Sequence, residues 1–381
     1  MTGVSVLIWS VTIQDGTKQA DASDKSPVDE IIRKVARSTI EKALSGNTDI
    51  DKVASSVGIT SQELVLLGTA LDINIPEGKK PQKRPSPVEV ETTLANSYYE
   101  PDQIISYKGS SPFILIVDKT DYKLHLLQYE NGRKTLVNSF NIKRGKNDGD
   151  KTRAGDNKTP EGVFFFTAKY DRPDIVDLVG SDNAYQYGDM AFVTNFPNTL
   201  DRHNGKNGSG IWLHGTDKPF DENSLNDTRG CVVTTNADIG VLSKYITLYS
   251  TPIIITRELN LRASTDMAVD RQKMMDFLES WRLSWFESRM DDYIGHYSKS
   301  FTSQGMNRSQ WHSRKQSIAN AYTINKINLD NISIFKHNEG LLIQFIQDYS
   351  ASNTSGKGLK TLYLMPENDS WAIIQEQFRR L

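Results

Sequence analysis

The strongest constraint on this chain is that its apolar residues change period more than once. Across residues 24–76 they recur at helical spacing: Ile31, Ile32, Val35 and Ala36, then Ile40 and Ala43. Across 98–260 they come in short runs, such as Phe113-Ile114-Leu115-Ile116-Val117, separated by turn residues. Beyond 266 a helical stripe returns, with Phe277, Trp281 and Trp285 standing four apart, and then yields to strands up to the C-terminus. One period cannot serve both a helix and a pleated strand. A chain of 381 residues patterned in this way is expected to fold as two or three domains rather than around one core.

Five segments follow. Residues 1–23 are a candidate leader, because 4–13 is an apolar run of signal-peptide length. No basic residue precedes that run, and Ala20 and Ala22 are the best cleavage candidates. Residues 24–76 read as a small helical unit, in which Gly46-Asn47 ends the first helix. Asp49 caps a second, and Thr60 with Glu63 has capping-box spacing for a third. This unit is too small to bury a core alone, so it is expected to dock or to form a homodimer. Residues 77–97 contain the charged, proline-marked stretch EGKKPQKRPSP and read as an extended linker.

Residues 98–260 read as a β-rich domain of sandwich or barrel type, with strands at 113–117, 123–127, 163–167, 211–214 and 252–256. Asn131-Gly132 marks a hairpin. Asn236 is expected to cap a helix running to about Tyr245. Residues 266–381 carry a long helix, a second helix through Trp311 and Ile318, and then strands at 332–335, 341–349, 359–365 and 371–378. Helices followed by an antiparallel meander make an α+β domain.

Formal net charge is −2, so no broad basic surface argues for nucleic acid as a partner. The histidines are too scattered for metal-ligand spacing, and neither a metal nor a cofactor is expected. Cys231 is the one cysteine, which excludes a disulfide within this sequence and makes it a nucleophile candidate.

The chemistry concentrates in 211–238. His214 ends an apolar strand and is followed by Gly215 and Thr216. Cys231 comes 17 positions after the histidine and is preceded by Thr228-Arg229-Gly230. A thiol needs to lose its proton to attack, and a nearby imidazole and guanidinium both favour that loss. Gly230 lets a carbonyl approach the backbone, whose amides would stabilise an oxyanion. Arg229 suits a substrate carboxylate.

The His214-Gly215-Thr216 and Thr228-Arg229-Gly230-Cys231-Val232 segments resemble the signature of YkuD-type L,D-transpeptidases. The Gly149-Asp150-Lys151 and 155–162 segments extend the resemblance over about 113–257. It implies a mainly-β catalytic domain and acyl transfer on peptidoglycan stem peptides. Cys231 would attack the carbonyl of the diamino acid next to a terminal D-alanine, leaving a thioester. The first expectation is a transpeptidase, in which an amine of a second stem resolves the thioester. Water would resolve it as an L,D-carboxypeptidase, trimming tetrapeptide to tripeptide. His214 would carry the proton, its second nitrogen resting on a backbone carbonyl. Thr228 replaces a serine common in the family, and Val233 stands where a second arginine is common.

Residues 266–381 resemble a SnoaL-like cone domain, through Phe277, Trp281, Trp285, Trp311, Arg314 and the closing strands. The whole layout resembles the helical-cell-shape L,D-carboxypeptidases, which implies a periplasmic location. A non-catalytic cell-wall-binding protein is the alternative from another class.

Other residues have plainer readings. His125 is expected to be a surface or packed histidine, and His203 an exposed loop residue. Trp281 and Trp285 are expected in the core. Trp212 is expected to pack on the face opposite His214, and the acidic 217–227 loop to roof the cleft with solvated carboxylates.

Overall fold

The computed structural model describes residues 86–221, 223–337 and 340–381. The expected leader and the expected 24–76 helical unit lie outside the described residues, as does any homodimer contact through that unit. Residues 87–381 form one compact unit.

Among these residues, eight strands make one mixed sheet. Its order is Arg133–Asn141, Lys123–Glu130, Phe113–Asp118, Pro252–Thr256, Gly162–Asp171, Met190–Thr194, Trp212–His214 and Val232–Val233. Asn131 and Gly132 join the first pair with φ of 52° and 73°, the left-handed pair that a two-residue hairpin turn requires. Phe113–Asp118 is central, antiparallel to Lys123–Glu130 and parallel to Pro252–Thr256. Its run is unbroken because both of its faces are buried. Leu115 and Val117 join Phe164, Phe166, Ile253 and Ile255 in an inner core. Ile114 and Ile116 join Val163, Phe165 and Ile254 on the outer face.

The sheet curls around the inner core, which draws Phe140 from its first strand and Val232 from its last. The ends meet where Lys143 and Val233 exchange two backbone hydrogen bonds, at 2.7 and 2.9 Å. This is the barrel-like form of the β-rich domain that the pattern of short strands predicts.

A second, five-stranded sheet covers the outer face. Its order is Ser370–Arg380, Thr354–Glu367, Gly340–Ala351, Ile324–His337 and Ile104–Ser106. Phe335, Leu342, Tyr363 and Ile374 point at the first sheet. Ile334, Leu341, Ile343, Leu362 and Ile373 point the other way, against the helices. The helix Ser264–Phe286 lays Met267, Met274, Leu278, Trp281 and Trp285 on that face in one stripe. The helix Arg308–Ala321 opens with a capping box between Asn307 and Gln310.

Three expectations need correction. Part of the 77–97 linker is the helix Pro87–Ala95, which buries Val90 and Leu94. Proline is compatible with a first helical turn, so it marks a start here rather than a loop. The 98–260 segment is not self-contained. Tyr99–Pro101 pairs with Leu261–Ala263, and Ile104–Ser106 pairs with Ile324–His337. The helix after the cysteine is Asn236–Leu242, capped by Thr235, whose hydroxyl accepts the Asp238 N–H. The Asn236 side chain is drawn away to Asp189 and Asp217.

One polar chain crosses the seam between the sheets. His337 Nδ1 accepts the Val163 N–H at 2.8 Å, so its proton sits on Nε2, 3.3 Å from Asp201. The ring fills the space beside Gly162, where a Cβ would come within 2.3 Å of it. Asp201 and Asp150 share Lys206, at 3.1 and 2.5 Å. Burial would raise the Asp201 carboxyl, but His337 and Lys206 hold it below its ordinary value. Asp201→Ala should cost about 2–5 kcal/mol, because it leaves the buried His337 Nε2–H and Asn198 N–H without acceptors and Lys206 with Asp150 alone. Thermal unfolding should show a drop in Tm of roughly 10 °C. An unchanged Tm would contradict this account of the seam.

Candidate active site

The Cys231 turn is built by three stretches of chain pressed together. Arg144 and Lys146 exchange backbone bonds with Thr228 at 3.1 and 2.8 Å, laying 144–146 beside the turn. Gly145 has no room for a side chain, since a Cβ would lie 2.5 Å from the Asn157 carbonyl. Gly230 has φ +129°, and its Cβ would lie 2.6 Å from the Lys158 carbonyl. Glycine at 230 thus serves both an unusual backbone angle and a close approach. Asp156 organises the third stretch, accepting the N–H groups of Thr152 and Arg153 with one oxygen and those of Lys158 and Lys151 Nζ with the other. Burial would raise the Asp156 carboxyl, but Lys151 and these amides hold it far below the carboxylate range.

His214 closes the strand Trp212–His214, and its Nδ1 lies 2.6 Å from the Gly215 carbonyl. A carbonyl only accepts, so Nδ1 carries the proton and Nε2 keeps a lone pair. Tyr187 packs on the imidazole with ring centroids 4.9 Å apart. The same tyrosine packs on Trp212 at 5.1 Å, so Trp212 and His214 share a face. This corrects the expectation of opposite faces, since strand positions two apart point the same way.

Cys231 and His214 line one cleft of about 300 Å³ with Thr216, Thr228 and Arg229. Arg229 is exposed there, and among the described residues its guanidinium has no partner. Thr228 touches the cleft, yet its hydroxyl is committed within the turn, donating to the Cys231 carbonyl at 2.8 Å. Gly215 and Gly230 do not line the cleft. Gly215 permits the close approach of Asn236, whose Oδ1 would lie 2.3 Å from an added Cβ. Lys143, Gln186 and Tyr187 also line the cleft, and no motif announced them. The 217–227 loop is less solvated than expected at its ends. Asp217 pairs with Arg172 at 2.7 Å, and Asp227 with Lys143 at 3.1 Å. His203 is exposed as expected, though it ends the short helix Thr199–His203. His125 is buried, with Nδ1 2.9 Å from the Ser139 hydroxyl.

The resting pair is neutral. Burial pushes the His214 imidazole down to about 4, against the opposing hydrogen bond to Gly215. Burial also pushes the Cys231 thiol up, outweighing the Trp212 N–H and the charges of Arg229 and Lys151. The thiol donates weakly to the Gly210 carbonyl at 3.4 Å. A thiol and an imidazole that are both neutral hold no preformed thiolate.

The C-terminal domain holds a second cavity, of about 340 Å³, lined by Trp285, Trp311, Lys315, Tyr349 and the Lys360–Glu376 pair. Lys315 Nζ sits 4.1 Å from the Trp285 ring and 4.9 Å from that of Trp311. Burial pushes its ammonium down to about 8, with Glu376 opposing. Trp281 is core, as expected, whereas Trp285 also faces this cavity.

Two pH readouts check the neutral pair. Activity that needs an unprotonated His214 should persist as pH falls through 6.5, the ordinary imidazole value. It should be lost only as pH drops through about 4. Thiolate absorbance of the free protein should rise only above about pH 8.5. Thiolate present at neutral pH would contradict the assignment.

Comparison with known proteins bears on both domains. Residues 112–255 match the YkuD family, the L,D-transpeptidase catalytic domain. Residues 273–377 match the Cds6 C-terminal NTF2-like domain, the same cone architecture expected as SnoaL-like. No curated protein matches. Among solved structures, Bd1075 of Bdellovibrio bacteriovorus is similar at 30% identity, covering 74% of this chain and 99% of its own, with a TM-score of 0.65. The helical cell shape determining protein Pgp2 of Campylobacter jejuni is similar at 27% identity, covering 74% of this chain and 95% of its own, with a TM-score of 0.56. A point variant of Pgp2 aligns at 26% identity over 76% of this chain and 96% of its own, with a TM-score of 0.57. Similarity that runs through both domains, on top of the family matches, means that the chain belongs to the YkuD L,D-transpeptidase family and carries an NTF2-like domain at its C-terminal end.

Proposed function

We propose that the protein is an L,D-carboxypeptidase that trims peptidoglycan stem tetrapeptides to tripeptides outside the cytoplasm, with Cys231 as nucleophile and His214 as base. The observation that carries this reading is the shared cleft. It holds a thiol, an imidazole with its lone pair free at Nε2, and an exposed guanidinium. The Cys231 sulfur attacks the diamino-acid carbonyl while His214 Nε2 takes the thiol proton. The carbonyl electron pair moves onto oxygen and returns as the C–N bond breaks. His214 then protonates the departing D-alanine amine. Arg229 is suited to hold the terminal carboxylate of that D-alanine. Water, deprotonated by His214, resolves the thioester.

Hydrolysis is favoured by the two-domain similarity to a helical cell shape determining protein. The NTF2-like domain then reads as a wall-docking or shape-control element. Transpeptidation is the second reading, kept by the match of residues 112–255 to the L,D-transpeptidase catalytic domain.

Mass spectrometry of products from purified disaccharide-tetrapeptide tests this directly. Tripeptide and free D-alanine are expected from the wild type and neither from Cys231→Ala. Linked dimers that lack one D-alanine would shift the conclusion to transpeptidation. Turnover by Cys231→Ala would overturn the mechanism.

A further inference from the structure

Two threonine hydroxyls set the peptide planes around Cys231. Thr228 Oγ1 accepts the Gly230 N–H at 3.1 Å and donates to the Cys231 carbonyl at 2.8 Å. Those contacts fix the plane before Gly230 and the plane after Cys231. The plane between them is held from elsewhere. Thr159 is fully buried, and its Oγ1 accepts the Gly145 N–H at 2.8 Å. The Thr159 proton goes to the Gly230 carbonyl, 2.9 Å away. With both roles assigned, that hydroxyl cannot rotate without losing a buried hydrogen bond.

A trans peptide points its C=O and N–H in opposite directions. Holding the Gly230 carbonyl down onto Thr159 therefore turns the Cys231 N–H away from the packed side, toward the cleft that its own side chain lines. Among the described residues nothing accepts that N–H. An unpaired amide next to the attacking sulfur is where an oxyanion would find a donor.

We infer that Thr159 is a positioning residue that holds the 230–231 peptide so that the Cys231 N–H receives the oxyanion of the reacting acyl group. The inference rests on the reading of Cys231 as an acyl nucleophile. Thr159 does not touch the substrate and acts through the Gly230 carbonyl. Its backbone is anchored in turn, since Lys119 Nζ donates to the Thr159 carbonyl at 2.9 Å and to Glu161 at 2.8 Å.

Acylation and alkylation of the same thiol separate this role from a structural one. Acylation by an activated ester such as 4-nitrophenyl acetate passes through an oxyanion, whereas alkylation by iodoacetamide does not. Thr159→Val keeps the shape and removes the hydroxyl, and Thr159→Ser keeps the hydroxyl. The ratio of acylation rate to alkylation rate at Cys231 should fall about 10- to 100-fold in Thr159→Val, the scale of a lost or misdirected oxyanion donor. Thr159→Ser should stay within a few-fold of the wild type, and the loss with tetrapeptide should appear in kcat rather than KM. An unchanged ratio in Thr159→Val, or a Thr159→Ser variant as impaired as the valine, would overturn the inference. A wild-type thiol that alkylates but does not acylate would overturn it as well. Should the ratio fall as expected while the wild type leaves tetrapeptide intact, the positioning role stands and the stem-peptide substrate falls.

Discussion

The outer face of the curled sheet has to be covered, and the Cys231 turn depends on how it is. Ile114, Ile116, Val163, Phe165 and Ile254 are buried on that face by Phe335, Leu342, Tyr363 and Ile374 of the NTF2-like domain. Burying a residue of this size contributes about 1.5–3 kcal/mol, so the seam is a core rather than a domain contact. Within it, His337 occupies the space that Gly162 leaves open and holds the Val163 N–H. Gly162 is three residues from Thr159, which in turn holds the Gly230 carbonyl. Lys206 and Asp150 run alongside, with the Glu161 N–H bonded to Asp150 at 2.8 Å. The C-terminal domain therefore reaches the Cys231 turn through short, fully bonded steps.

That rigidity suits a site whose resting charges are suppressed. A half-buried thiolate and a buried imidazolium would each need solvation that the packed turn supplies only in part. Burial keeps both groups neutral, and the proposed oxyanion donor, the Cys231 N–H, is a backbone dipole held in place by the Gly230 carbonyl bond to Thr159. Such preorganised dipoles gain strength in a site of low dielectric. Of the cationic groups near the thiol, Arg229 is exposed at the cleft, and Lys151 is buried and tied to Asp156 at 2.6 Å.

Much of this was legible in the sequence, and the reasons are local. The Asn131-Gly132 hairpin, the Phe277, Trp281 and Trp285 stripe and the buried run 113–117 follow from turn chemistry and from the fixed periods of helix and strand. His214 and Cys231 stood out through their order and flanking residues. What stayed hidden depends on contacts between distant stretches. Thr159 bonds Gly230 across 71 positions, and His337 bonds Val163 across 174. No periodic pattern marks such partners. Tyr187 and Lys143 reach the cleft from loops and strand ends for the same reason. Pro87 misled because proline serves a first helical turn as well as a linker. Ile104–Ser106 was hidden because strand pairing does not have to follow chain order.

In the proposed mechanism Cys231 carries the acyl group. The most direct measurement is the intact mass of the protein after brief incubation with disaccharide-tetrapeptide and acid quench, followed by peptide mapping. The account predicts an adduct equal to the substrate less one D-alanine, located on Cys231 and discharged by hydroxylamine. Turnover with no adduct at Cys231 at any quench time, or an adduct on another residue, would contradict it.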